Sequence, residues 1–330
     1  MNIHSIPAFL GAVSLLLALQ PVSAHGPGKQ NDFAGRRVLF IGIDGCRTDA
    51  LEAAMSRGFA PHLKSLSETG LLTRQIYAGG RKDTPTHQST VSGPGWSSLL
   101  TGVWKDKHRV ENNRFLGGRF QTYPHFMRVL KDQKPSAWTA SFVNWPEIHR
   151  FIADGSRDND REYIDEKFTA LPEATEGHRD YPWMDIQVRD RALNSLRTQN
   201  ADAMFVYFGQ VDEYGHGAVD SRAAFSPDSN LYLHSIGVVD GHVGELLRTL
   251  RARPSFADED WLILITTDHG GRGNSHGGDS DVERNIWLIA HGTHLPEASL
   301  TAETFGQTKV PYFIFEHLGL SPSPEWDIAK

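Results

Sequence analysis

The 330-residue chain reads as an α/β protein with a mainly parallel central sheet sandwiched between helices. Three observations predict this class. Short apolar runs alternate with segments of helical periodicity, the pattern of strand–helix–strand crossovers. The runs are almost wholly apolar rather than alternating in polarity, as strands buried on both faces are. Most of them end in phrases that combine glycine with Asp, His or Ser, where a buried strand hands the chain to an exposed turn.

The elements follow in order. Ile6 to Leu19 is largely apolar but too short for an ordinary transmembrane helix, and Val22-Ser23-Ala24 resembles a signal-peptidase site. Residues 1–24 are therefore expected to be a signal peptide and the mature chain secreted or periplasmic; an uncleaved anchor is the alternative, since the first residues carry His4 but no Lys or Arg. Residues 25–36 read as a flexible lead-in. Arg37 to Ile43 is a strand ending at Asp44-Gly45, followed by helical spacing from Thr48 to Met55. Leu71 to Ala78 is a second strand. A helix is expected from near Pro94 through Leu100 to Gly102, and a short amphipathic one from Tyr123 to Leu130. Ala137 to Val143 is a strand. The polar stretch 152–182 lacks a strong period and is expected to be an insertion or lid. Trp183 to Thr198 is helical, Ala203 to Phe208 a buried strand, Leu231 to Leu250 a long helix and Trp261 to Thr267 a strand. Asn285 to Ala290 and a helix from Tyr312 to Leu318 close a single domain over 37–330. No second long apolar stretch follows the first, so no membrane span is expected in the mature chain.

The net charge is −7 with Lys and Arg dispersed, which argues against a stable nucleic-acid partner. Oligomeric state is not legible. Cys46 is the only cysteine, so no internal disulfide forms and a small buried role is expected for it.

The chemistry lies at the strand ends. Asp212 and His216 stand four apart in QVDEYGHG after one strand; Asp268 and His269 follow another in LITTDHGG; His276 comes after a glycine-rich spacer that folds it back towards them; Asp44 ends the first strand. Carboxylates and imidazoles are the ligand types that hold zinc. Ser92 precedes the predicted helix in VSGPGWSSLLTG, at an N-terminus where free N–H groups and the helix dipole favour an oxyanion. Thr90, Ser97 and Ser98 compete with it as nucleophiles, and a plain N-cap is the bland reading. His149, His178 and His234 read as surface or satisfied histidines, and Trp104 as core.

In this order the residues resemble the alkaline phosphatase superfamily, and more narrowly its nucleotide pyrophosphatase/phosphodiesterase branch. Ser92, Pro94 and Leu99-Leu100-Thr101-Gly102 fit that family's nucleophile phrase, and His108 with Asn113 its following His and Asn. Asn144-Trp145-Pro146 and Val310-Pro311 through Leu318-Gly319-Leu320 resemble two further family phrases. The resemblance implies an alkaline phosphatase-like fold and two divalent metal ions, usually zinc. One would be held by Asp212, His216 and His276, the other by Asp44, Asp268 and His269 with Ser92 beside it. It further implies a small phosphoester substrate, a phosphoseryl intermediate on Ser92, and Asn113 on a phosphoryl oxygen. Phosphodiester hydrolysis is the expected reaction. The alternatives are a phosphomonoesterase, for which Arg109 or Arg114 would supply the added cation, and a catalytically silent metal-binding domain. Trp145 and Arg114 are the candidate substrate contacts. The chain departs from the branch in using Ser rather than Thr, in Gly271, and in Glu213 and Tyr214, which puts the substrate in question rather than the reaction. No C-x-P-x-R or S-x-P-x-R phrase of a sulfatase is present.

Overall fold

The computed structural model describes residues 1, 35–172, 180–293, 295 and 305–329. The expected signal peptide, nearly all of the lead-in, part of the 152–182 stretch and His178 lie outside the described residues. Seven strands form one sheet: β1 (Arg36–Ile43), β2 (Leu71–Tyr77), β3 (Thr139–Val143), β4 (Glu166–Thr169), β5 (Ala203–Phe208), β6 (Asp260–Thr266) and β7 (Asn285–His291). Their spatial order is β2-β7-β6-β1-β5-β3-β4. Every neighbouring pair from β6 to β4 is parallel, while β7 runs antiparallel to both β6 and β2. The sheet is thus mainly parallel, as expected, with one reversed strand that the apolar run of β7 does not announce.

Ten α-helices are described: α1 (Thr48–Ser56), α2 (Pro61–Thr69), α3 (Ser92–Thr101), α4 (Lys105–His108), α5 (Phe126–Gln133), α6 (Tyr181–Thr198), α7 (Gln210–Gly215), α8 (Asn230–Arg251), α9 (Asp281–Arg284) and α10 (Val310–Leu318). Strand alternation sorts the core into two layers. Val38 and Phe40 of β1 point with Phe205 and Leu264 towards α3, α5 and α10, whereas Leu39, Ile41 and Ile43 point with Val206 and Ile265 towards α1, α2, α6 and α8. No helix among the described residues is long and apolar enough to cross a membrane.

The 152–182 stretch is not merely an insertion. It contributes β4, which pairs parallel to β3 at the sheet edge. An edge strand is only half covered, so EKFT carries no continuous apolar run and escapes a search for buried strands. Helices α2, α4 and α9 were also not foreseen; all three are short, and α7 takes the helical turn that the four-residue spacing of Asp212 and His216 allows.

The register of the central strands positions the site. Ile43 pairs with Phe208 and Gly42 with Thr266, so β1, β5 and β6 end level with one another. Adjacent strands lie about 4.8 Å apart, and the three loops carrying Asp44, Asp212 and Asp268 therefore emerge side by side. Gly42 serves a packing purpose here. A Cβ on it would lie 2.3 Å from the Trp96 ring, so glycine is what lets the indole of α3 pack against β1 and reach the residue two positions on.

Candidate active site

Asp44, at the end of β1, is buried and anchored through one oxygen. Its Oδ2 accepts from Trp96 Nε1 at 2.8 Å and from the Tyr207 hydroxyl at 2.5 Å. Its Oδ1 is left facing Ser92 Oγ at 3.4 Å and His269 Nε2 at 3.5 Å. Burial and the nearby Asp212 push its pKa up, opposed by His269 and by the Tyr207 and Trp96 hydrogen bonds. Asp268 is raised further, by burial and by Asp44 and Asp212. Burial acts on Asp212 in the same sense, but its hydrogen bond with His216 and the charges of His276 and His269 outweigh it and hold the pKa down. Three buried carboxylates converge, and like charges so placed call for a cation.

The histidines show where a cation fits. His216 Nδ1 meets Asn274 O, His269 Nδ1 meets Gly270 O and His276 Nδ1 meets Thr90 O, each at 2.9 Å. A neutral imidazole that donates from Nδ1 presents a lone pair at Nε2. His269 Nε2 then faces Asp268 Oδ2 at 3.2 Å, and His276 Nε2 faces Asp212 Oδ1 at 3.6 Å. Both carboxylate oxygens are buried without a hydrogen-bond donor. Acceptor facing acceptor is unfavourable unless a positive centre lies between them, and Asp and His are the ligand types of zinc. The residues fit a pair of divalent ions. His216 Nε2 lies 3.4 Å from Asp212 Oδ2, and that contact pushes its pKa up to about 9. Burial and His269 push His276 down to about 4.

Two groups have ligand atoms within 4.8 Å of one another: Asp212, His269 and His276, and Asp44, Asp268 and His269. The second coincides with the expected set. In the first, His269 stands where His216 was expected. The His269 and His276 rings stack with centroids 3.9 Å apart, while the His216 ring lies 4.8 Å from His276 with its Nε2 3.4 Å from Asp212 Oδ2.

Ser92 is the first residue of α3, and the cap position before it is Val91, so Ser92 is not the N-cap. Its competitors are engaged elsewhere. Thr90 Oγ1 donates to Gly278 O, Ser97 Oγ to Gly93 O, and Ser98 Oγ contacts His108 and Gln88. Asn113 Oδ1 accepts from the Gly93 N–H at 2.7 Å, which leaves its Nδ2 as the free donor. A cavity of about 150 Å³ is lined by Ser92, Asn113, Asp44, Asp212, His216 and His276, with Trp145 on its wall. Tyr181, Tyr207 and Glu213 complete the side-chain lining. Arg109 and Arg114 are exposed and lie outside it, so the structure does not bring Arg114 to the other candidates. Glu213 is pushed up by burial, against its hydrogen bond with Tyr181. Tyr207 and Trp96 were missed as supports of Asp44. Tyr207 does interrupt an otherwise non-polar strand with a hydroxyl one position before its end, which is a signal worth reading.

A family model described as type I phosphodiesterase / nucleotide pyrophosphatase matches residues 38–299. The chain belongs to this family. Solved structures show the same fold. Murine ectonucleotide pyrophosphatase/phosphodiesterase 5, solved in complex with AMP, is 14% identical at a TM-score of 0.61, covering 89% of this chain and 99% of that one. A 2-O GAG sulfatase is 12% identical at a TM-score of 0.65, covering 88% and 72%. No curated protein sequence matches the chain. Membership makes this chain a hydrolase of phosphoesters or related esters. The match spans all three strands whose ends carry the converging carboxylates.

Proposed function

We propose that this family member is a two-metal phosphodiesterase that acts through a phosphoseryl intermediate on Ser92. Asp212 and His276, with His216 or His269, would hold one ion, and Asp44, Asp268 and His269 the other. Divalent cations there, zinc by ligand type, would lower the hydroxyl pKa of Ser92 and neutralise charge on the attacking and leaving oxygens.

The chain's own residues supply the rest. Asp44 Oδ1 orients the Ser92 hydroxyl, and the first turn of α3 points its N–H groups and dipole at the phosphoryl group. Ser92 Oγ attacks phosphorus as the bond to the leaving alkoxide breaks; water then cleaves the Oγ–P bond and restores the serine. Asn113 Nδ2 donates to a non-bridging oxygen as its charge grows. Trp145 and Tyr181 border the leaving group.

The observation that favours a diester is the charge of the cavity wall. It carries an additional carboxylate, Glu213, and no Lys or Arg among the described lining residues. A monoester dianion brings one more negative charge than a diester and meets no added cation among the described lining residues. The test compares kcat/KM for an aryl phosphodiester and the matching aryl phosphomonoester on zinc-supplemented protein, with Ser92→Ala as control. A diester preference abolished in Ser92→Ala is expected. A monoester preference would overturn the substrate assignment, and undiminished turnover in Ser92→Ala would overturn the nucleophile.

A further inference from the structure

Asp185 lies in α6, one turn after the cavity residue Tyr181, with none of its surface exposed. Its oxygens accept from Asn144 Nδ2 at 2.5 Å, from the Gly209 N–H at 3.1 Å and from the Gln210 N–H at 3.4 Å. A buried carboxylate held by neutral donors alone costs several kcal/mol in desolvation. Consistent with that cost, burial drives its pKa well above the usual range. Beside it, Asn144 Oδ1 is buried without a hydrogen-bond partner.

What the carboxylate does accomplish is a three-way junction. Asn144 follows β3 and precedes Trp145, which walls the cavity. Gly209 caps the short α7 and Gln210 begins it, and the same first turn carries Asp212. The approach is close enough that a Cβ on Gly209 would lie 2.7 Å from Asn144 Oδ1. One side chain therefore ties α6, the β3 exit and the β5–α7 turn together directly behind Asp212.

We propose that Asp185 is a positioning residue for the Asp212 metal site, clamping the first turn of α7 so that Asp212 faces His276 and His269. The inference rests on the two-metal reading above. Asp185 touches neither Asp44 nor Asp268 in this arrangement, so its loss acts on one ion and spares the other.

The test measures the two zinc affinities by chelator competition, alongside the thermal midpoint, for the wild type, Asp185→Asn and Asp240→Asn. Asp240 is a matched control: it is a buried carboxylate on α8 that accepts the His62 and Leu63 N–H groups at 3.1 and 2.7 Å, remote from the site. Both variants are expected to melt lower. Only Asp185→Asn is expected to weaken one zinc, by about tenfold, the lower end of the range seen when supports behind ligands are lost. The other zinc should stay within twofold. Asp185→Asn with both affinities unchanged, or both weakened alike, would overturn the proposal and leave Asp185 a structural residue. If Asp185→Asn does not fold, Asn144→Ala removes a single donor and must show the same asymmetry; equal affinities there overturn it too. A wild-type chain that binds no zinc defeats the two-metal reading first, and this inference with it.

Discussion

Tyr207→Phe isolates one hydroxyl at the base of the site. The phenol donates to Asp44 Oδ2, and the ring packs on Trp96 and Trp145 with centroids 5.2 and 6.4 Å away. Phenylalanine keeps both ring contacts, so the change is the hydrogen bond alone. A hydrogen bond to a charged acceptor contributes about 1.5–3 kcal/mol, and Asp44 keeps only the Trp96 donor on that oxygen. Metal binding requires Asp44 ionised, so a loss of about 2 kcal/mol lowers affinity for the ion at Asp44 and Asp268 by about thirtyfold. The sign of the pH effect follows from the same bond. Burial raises the Asp44 pKa and the Tyr207 hydrogen bond opposes that rise, so without the hydroxyl the pKa climbs further. Protons then compete with the metal over a wider range, and the acid limb of binding moves to higher pH. Chelator competition between pH 6 and 8 reads both effects. Affinity within twofold of wild type across that range would refute the reasoning and show Tyr207 to be packing only.

Three more outcomes follow from the structure. Glu213→Gln removes one negative charge from the cavity wall; at roughly 6 Å and an effective dielectric of about 20 a unit charge pair is worth about 3 kcal/mol, so the monoester-to-diester ratio of kcat/KM should rise by roughly tenfold or more, and an unchanged ratio would remove the charge argument. Asn113→Ala should lower kcat on the diester by about 10²–10³ if its amide stabilises developing charge; an effect confined to KM would make it a binding residue instead. His108, His125 and His149 are each pushed down to about 3 by burial. Their unfolded pKa is about 6.5, so on acidification the unfolded chain takes up protons that the folded chain refuses. Each group then loses about 2 kcal/mol of stability between pH 7 and 5, which urea unfolding at the two pH values would reveal as a falling midpoint; a midpoint that holds would show these histidines to be open to solvent protons.

The main strands and most helices were legible because their signals are local. WLILITT and AMFVYF are apolar runs long enough to be buried strands, and the glycines after them mark where the chain turns. The residues that fall short of such a signal are instructive. EKFT in β4 is an edge strand with one face open, and β7 reads alike whether it runs parallel or antiparallel. For the site, the residue types at the strand ends were legible, since a chain that spends Asp and His at the mouths of buried strands is using them for something other than solubility. Which hydroxyl faces the carboxylates was not legible from residue type, and only the family phrase pointed to Ser92. Thr90, Ser97 and Ser98 offer the same hydroxyl, and in the structure hydrogen bonds occupy all three.

The sequence by itself determined the layered α/β class and the set of side chains able to gather at one edge of the sheet, because periodicity and strand-end punctuation are properties of neighbouring residues. Only the tertiary structure decided how those side chains share the space. The level register of β1, β5 and β6 sets Asp44 beside Asp212 and Asp268, the stacking of His269 on His276 puts His269 between both groups, and Tyr207, Trp96 and Asp185 act from positions far away in the chain. Such contacts arise where strands distant in sequence are hydrogen-bonded neighbours, and no local pattern encodes which distant residue will stand opposite.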